Sequence, residues 1–596
     1  MLCCCTAFLV AGARQNVCEG KLTARAKSKT ALTPFLSPKF NCPTHARKRR
    51  GSARTPRRWR VFPRTRYVKH VPISKVVIAA WVAKEFHLIV LKGNKKLILI
   101  LATPVVVLIL CAVGMRLSGI VQLRAYVRHL EQNGEELDYR KLLPPKPTDA
   151  ENAVVDLVSI YPARDAFEAL KKRAPSFSLF SSPGYRPVVF RDESWVWIDY
   201  EPNPSEMRTN TWFEFLMEYP RAEGLIDAWQ KALEKPEFYF DGDYDNGFLN
   251  MKIDEIMAAR GPDRWMGIAA MVDLRNRNLD SALNKILTQS RLVGGMENGR
   301  MLITEMVRQA VFYAVVDTVW QALQEPGWTN GRLKRLQDIW ASWQFDKSME
   351  RAWVLERATT YHFLNKMGRS SELRAKQLEK WGQWSSSGLA SWDLGPEWVQ
   401  KYVYFPSWIL IWQEEDRLAS LQCWDSLINL QRLAITNSWS AVANEPGEIT
   451  EEVVWKILAG PDELPWYDRM RYLFSSQFLV DKGLILRAAK AQTMRNLGLT
   501  AIALNRYRLR NAVWPESLDQ LVPDFLAAVP RDPMDGNRLR YQSQDDAGFR
   551  LYSVGVDFED DGGDPRPVKE GVEFKDIWQG RDVVWPMPAT NAPSRN

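Results

Sequence analysis

Residues Leu97 to Met115 read LILILATPVVVLILCAVGM. These nineteen positions carry no charge, and Lys95, Lys96 and Arg116 stand directly outside them. At ~1.5 Å per residue such a helix rises about 28 Å, close to the hydrocarbon thickness of a bilayer. Inside lipid every backbone N–H and C=O must be satisfied within the segment, so a lone span has to be helical. A core helix of a soluble domain keeps a polar face over this length, and this stretch has none. Pro104 is expected to do no more than kink it. The span divides the chain, and the two sides differ in composition.

Residues 1–96 hold 22 Lys+Arg against 2 Asp+Glu, a net charge of +20, whereas the remainder carries −10. The basic character therefore belongs to the tail, and nucleic acid is not the expected partner of the region after the span. Six of the seven cysteines lie at or before Cys111, leaving Cys423 alone in the large region, so no internal disulfide or zinc cluster is expected there. The five histidines are scattered, and only His362 falls deep in that region.

Residues 1–70, with ARKRRGSARTPRRWR at Ala46–Arg60, read as a disordered basic tail. Such a run is an anchor for acidic lipid, a nucleic-acid arm, or translated sequence upstream of the true start. Residues 71–92 are apolar but interrupted by Lys75, Lys84, Glu85 and His87, which suits an amphipathic surface helix. The bias of basic residues toward the N-terminal side places the N-terminus in the cytoplasm and the bulk of the chain outside, in the periplasm.

Beyond the transmembrane segment 95–116, the helix is expected to continue through Leu130 and stop at Asn133-Gly134. A Pro-rich linker completes the juxtamembrane region 117–148, and Thr148 or Asp149 is expected to cap the next helix. The run GEELDYRKLLPPKPTDAENAVVDL (Gly134–Leu157) resembles the juxtamembrane segment of single-span proteins of planctomycete and verrucomicrobial bacteria, in its Gly-Glu, proline pair and closing Asn-Ala. The resemblance implies topology and no activity.

Residues 149–483 read as a mainly helical extracytoplasmic domain with a β insertion near 177–204, carried by PVVF (Pro187–Phe190) and SWVWIDY (Ser194–Tyr200). Trp265–Ala282, Met301–Leu323 and Leu333–Trp343 show apolar residues at three- and four-residue spacing. Breaks are expected at Gly294-Gly295, Glu325-Pro326-Gly327 and Glu445-Pro446-Gly447. Short connections suggest a helical array or irregular bundle. Tryptophan is abundant, either as core filler or as the lining of a carbohydrate groove. DGDYDNG (Asp241–Gly247) begins like a calcium loop, but Asn246 and Lys252 occupy the places of the required glycine and carboxylate.

Residues 484–585 read as a C-terminal α+β module, followed by a tail at 586–596. A long helix, Leu484–Leu509, precedes a short one at Leu518 and Leu521. A turn at Pro530 and Pro533 and a hairpin of Leu539–Gln542 with Phe549–Val554 follow. WPESLDQL, PRDPMDGNRLRY and FRLYSVGVDFEDDGGD resemble the globular end of type II secretion pseudopilins, although the family's leader and glutamate-bearing N-terminal helix are not part of this module. In that family the loop after the last strand can bind calcium. The resemblance makes Asp557, Glu559, Asp561 and Asp564 candidate calcium ligands, with a solvated acidic turn as the alternative.

The expected fold is mainly α, a membrane-anchored helical array or irregular bundle with a small α+β module. The span contacts membrane lipid, and other envelope proteins are the expected partners. No Gly-x-Ser-x-Gly, His-Glu-x-x-His, P-loop or dinucleotide fingerprint occurs. An interaction or scaffold protein of an envelope or secretion assembly is thus favoured over an enzyme, with no cofactor unless the acidic loop takes calcium. A hydrolase using two carboxylates and a carbohydrate-binding protein are the alternatives.

Overall fold

The computed structural model describes residues 95–175, 188–199, 206–242, 244–246, 253–373, 376, 397–444, 466–472, 475, 482–544, 548–569 and 576–585. The basic tail, the amphipathic segment 71–92, the break at Glu445-Pro446-Gly447 and the tail 586–596 lie outside the described residues. The chain is mainly helical, with two small antiparallel sheets. It divides into two units, Met1–Cys111 and Ala112–Asn596.

Helix α1 runs from Lys95 to Gln132, and its stretch from Ala102 is long and apolar enough to cross a membrane. Val105 to Leu110 and Val113 are exposed, whereas Leu123 and Leu130 are buried with Leu421. The helix ends as its sequence requires. Gly134 takes a left-handed φ of +80°, and the Glu135 N–H returns to the Leu130 carbonyl at 3.0 Å.

Helix α2, Ala153–Ile160, begins later than its sequence suggests. Thr148 spends its hydroxyl on Glu151 (2.7 Å), and Asn152 is the cap. The Asn152 Oδ1 accepts from the backbone N–H of Val154 (3.1 Å) and of Tyr239 (3.0 Å), while its Nδ2 donates to the Tyr239 carbonyl (2.9 Å). A cap that also holds a distant segment outcompetes one that satisfies the helix end alone.

Strand β1, Ser194–Asp199, pairs with β2, Glu206–Thr211, in the register Ser194↔Thr211. Pro187 lies outside the described residues, and Val188–Phe190 forms a turn and not a strand. The second strand is the polar run EMRTNT, which has no apolar signature to announce it. Thr211 closes it and opens α3, Trp212–Glu218, through a reciprocal capping box with Glu214. Helix α4, Pro220–Ala232, follows.

The central body is built from α5 (Pro262–Arg275), α6 (Leu279–Met296), α7 (Leu302–Leu323), α8 (Asn330–Ser342), α9 (Phe345–Arg369), α10 (Phe405–Ile411) and α11 (Gln413–Thr436). The expected single helix Trp265–Ala282 is broken at Arg277, which has a φ of +57°, and Asn278 caps α6. Conversely, Gly294-Gly295 does not break the chain but lies within α6. A Cβ on Gly295 would come 2.3 Å from the Phe238 ring, so this glycine serves close packing. The turn at Pro326-Gly327 stands as expected, with Gly327 at φ +96°.

Helix α12, Gly483–Asn511, is surrounded. It packs on α8, α9 and α7 and also on a three-stranded sheet of β3 (Arg540–Ser543), β4 (Phe549–Ser553) and β5 (Val583–Trp585), in the order β3-β4-β5. The hairpin is where the sequence places it, but β5 adds an unexpected third strand. One apolar core runs from Ala153 to Trp585, so the C-terminal segment is built into the helical body. Among the described residues ten tryptophans, including Trp340, Trp353 and Trp424, are less than 2% exposed and fill this core.

Alanine is the better helix former by about 1 kcal/mol, so a Gly→Ala change at an open helical site should stabilise the protein. Gly224 in α4 has nothing within 4 Å of a Cβ, whereas on Gly498 in α12 a Cβ would lie 2.2 Å from the Trp340 ring. Gly224→Ala is therefore expected to raise the thermal midpoint, and Gly498→Ala to lower stability by about 1–3 kcal/mol. Denaturant melts of the two variants check the opposite signs.

Candidate functional site

Three places in the described residues concentrate charge: the foot of α1, the acidic C-terminal loop, and a cavity inside the helical body.

At the foot of α1 the left-handed Gly134 turns the chain so that Glu135 enters the body. Its Oε2 meets Arg357 of α9 at 2.5 Å, and its Oε1 meets Arg432 of α11 at 2.7 Å. Arg357 is 1% exposed and reaches Asp425 at 2.5 Å, which also accepts the Tyr126 hydroxyl from α1 at 2.6 Å. Arg432 continues to Glu350 at 2.6 Å. Burial pushes Glu135 up, but the hydrogen bonds from Arg432 and Arg357 outweigh it and hold the carboxyl below its ordinary value. Higher on α1, Arg116 bonds Glu414 at 3.3 Å and donates to the Ile409 carbonyl.

The linker is pinned in the same manner. Asp245, from the calcium-like stretch, accepts the Tyr139 hydroxyl and lies 3.2 Å from His362 Nε2, 3.5 Å from Arg140 and 3.6 Å from Lys366. Asp241 holds Lys146 at 2.9 Å. These acids are engaged by cationic side chains.

The acidic loop follows β4. Asp557 accepts the Glu559 N–H at 3.3 Å and is raised by burial, and Glu559 is exposed. Asp561 lies 3.5 Å from Arg581. Asp564 is held by Arg566 at 2.7 Å, with Arg581 at 3.8 Å, and the Arg566 hydrogen bond lowers it to about 2. Asp560 accepts the Tyr552 hydroxyl at 3.0 Å and the Arg540 Nε at 3.4 Å. Among the described residues no three carboxylate, histidine or cysteine groups converge as a metal-ligand set.

Two acids that sequence reading missed organise this end. Asp532 is buried and gathers the Ser553 hydroxyl (2.8 Å), the backbone N–H groups of Met534 and Val554, and Arg540 at 3.3 Å. Asp582 accepts the N–H groups of Gly563 (2.8 Å) and Asp564 (3.1 Å), tying β5 to the loop. Burial raises each to about 6. Asp532 precedes Pro533, which is the ordinary signal of a turn, and Asp582, between Arg581 and Val583, has no such signal beside it.

The cavity, of about 690 Å³, lies between residues 161–175 and helices α5, α6 and α7. Asp263 in the first turn of α5 is buried here, and Gln289 of α6 donates from Nε2 to its carbonyl (3.0 Å) and to its Oδ1 (3.2 Å). Burial raises Asp263 to about 7, against the pull of the Gln289 bond. Arg164 pairs with Asp165 at 3.2 Å and Lys171 with Glu168 at 2.5 Å on the same wall. A carboxyl that titrates near neutrality in a polar cavity can donate or accept a proton.

The two classes of acid give opposite pH signatures. Glu135 is lowered on folding, so its contribution is present above the unfolded pKa and is lost as pH falls through the folded one. Asp263 is raised from 3.8 to about 7, so the folded state binds the extra proton and stability falls as pH rises across that window. Asp263→Asn is expected to flatten stability between about pH 4 and 7, and Glu135→Gln to flatten it on the acid side, below about pH 5. Arg357→Met leaves two partly buried carboxylates without their shared cation and is expected to cost about 3–5 kcal/mol. Urea melts across pH read all three.

No protein-family model matches the chain, and no curated protein or solved structure matches it.

Proposed function

We propose that the chain is a single-span, membrane-anchored scaffold of the cell envelope, with its N-terminus in the cytoplasm and its helical body outside as an interaction platform. The carrying observation is α1, which is bare from Val105 to Val113 and seated in the body from Leu123 onward, where Glu135, Arg357 and Asp425 lock its end. A helix with that division favours lipid around its first part and protein around its second. The orientation rests on the +20 charge of residues 1–96. The order helix, turn, hairpin and acidic loop at the C-terminus suits a pseudopilin-like element and a secretion-related assembly. The Gly-Glu, Pro-Pro and Asn-Ala marks at Gly134–Ala153 fit a juxtamembrane joint shared with the bacterial single-span proteins they resemble. Buried tryptophans support a packing role over a sugar groove.

Charged substitution of the span tests the anchor. Leu108→Lys with Leu110→Lys adds roughly 2.5–3.5 kcal/mol per residue to insertion at the helix centre and is expected to release the chain on alkaline extraction, where the unaltered chain stays with the membrane. Protease added to spheroplasts should digest the region after Met115, and full protection of that region overturns the orientation.

Arginine supplies the acidic loop with its counter-charge in this reading, since Arg540, Arg566 and Arg581 stand where a cation would. Millimolar Ca²⁺ is then expected to leave the thermal midpoint unchanged. A rise that Asp561→Ala abolishes would instead make Asp557, Glu559, Asp561 and Asp564 a calcium site.

A further inference from the structure

Resting on the membrane-anchored reading, we propose that Trp398 to Leu410 is a second membrane contact: an aromatic and aliphatic collar seated in the lipid headgroup layer where α1 leaves the bilayer.

Its level on α1 is fixed by contacts. Arg116 is the first charge after the span, and its guanidinium donates to the Ile409 carbonyl and bonds Glu414 at 3.3 Å. About one turn further, a Cβ on Gly119 would lie 3.2 Å from Glu415 Cγ and 3.3 Å from Glu414 Cβ, so α1 runs closely against the start of α11. Ile409 to Glu415 is thereby held beside residues 116–119. With Leu97–Met115 filling the hydrocarbon, that level is the bilayer interface.

The stretch that leads into Ile409 exposes apolar side chains where a solvated surface would be polar. Tyr404, Phe405 and Trp408 turn inward and are buried. The remaining faces of the same stretch carry Trp398, Tyr402, Val403 and Leu410, between 52% and 68% exposed. The sequence EWVQKYVYFPSWILIW (Glu397–Trp412) holds only Glu397 and Lys401 as charges. A helical stretch that buries one apolar face in the core and exposes further apolar side chains needs an apolar partner for them as well. Leu117 and Val121 of α1 are also exposed, which carries the apolar surface of the span past Arg116 toward this stretch. Tyr467 sits edge-on to Trp412 at 6.2 Å and is half-exposed. Tryptophan and tyrosine with aliphatic neighbours are the residues that favour the headgroup boundary, where an apolar ring body and a polar edge are both accommodated. Continuity with the span selects lipid as the occupant over a second protein surface.

Photo-crosslinking of the full chain in liposomes of phosphatidylethanolamine and phosphatidylglycerol tests this. A benzophenone amino acid replaces Val403, Leu410 or, as the anchor control, Leu108; all three side chains are exposed, so the core is undisturbed. Lipid adducts at all three positions by mass spectrometry are the expected result. Lipid adducts at 108 with none at 403 and 410 overturn the collar and leave the anchor standing, as do chain-to-chain adducts at 403 and 410, which would mark a self-association surface. Absence of lipid adducts at all three positions overturns both readings.

Discussion

A guanidinium 1% exposed in a helical core is tolerable only with its charge matched. Arg357 meets this condition by drawing in Glu135 from the end of α1 and Asp425 from α11. The architecture depends on that requirement. The carboxylate that pairs with Arg357 is delivered because α1 stops at Gly134 and turns, so the electrostatics of α9 bear on where α1 ends. Apolar packing of Leu123 and Leu130 on Leu421 would hold α1 but would permit sliding along its axis, since apolar contact is non-directional. The ion network fixes register, and Tyr126 on Asp425 adds a second point of alignment. A similar buried device, Arg308 with Glu305, Ser348 and Glu297, orients α7 against α9.

The rest of the body is held by volume. Phe312 and Phe345 stand 4.5 Å apart, with Trp340 and Trp343 rings 5.3 Å apart beside them. Such large rings require empty space opposite, which glycine supplies: Gly498 receives Trp340 and Gly295 receives Phe238. The same arrangement explains why α12 carries small and polar residues amid the core. Gln492 accepts the N–H of Phe345 and Asn496 donates to the Arg531 carbonyl, so the polar atoms of α12 tie it both to α9 and to the turn before the sheet. A helix in that position joins the helices to the strands and makes them one body.

Function rests on different grounds toward the two ends of the chain. The apolar helix, its ion-paired foot and the exposed aromatic stretch that leads into Ile409 support the membrane reading. At the other end, arginines neutralise the acidic loop, and the buried acids Asp532 and Asp582 stitch strands together. Asp263 stands apart as a buried carboxyl lining a cavity, its pKa raised to about 7 by burial, without serving α1 or the sheet.

Much of the local structure was legible because it is governed by neighbours in sequence. Nineteen uncharged residues specify a helix long and apolar enough to span a membrane, Asn133-Gly134 ends it, and periodicity places a helix at Leu484–Leu509 that is observed as Gly483–Asn511. The hairpin of β3 and β4 follows from its turn residues. What the tertiary structure decided involves partners far apart: Glu135 and Arg357 are separated by 222 positions, and Asn152 caps α2 because Tyr239 needs the same side chain. Gly294-Gly295 looks like a break until Phe238 is in place, and VVW becomes β5 only once β4 offers an edge. The acids of the C-terminal loop could be seen in the sequence, but Arg540 and Arg581, which neutralise them, could not be assigned. Asp263 gave no signal at all, because a carboxyl's chemistry is set by the burial around it, and burial is a property of the assembled helices.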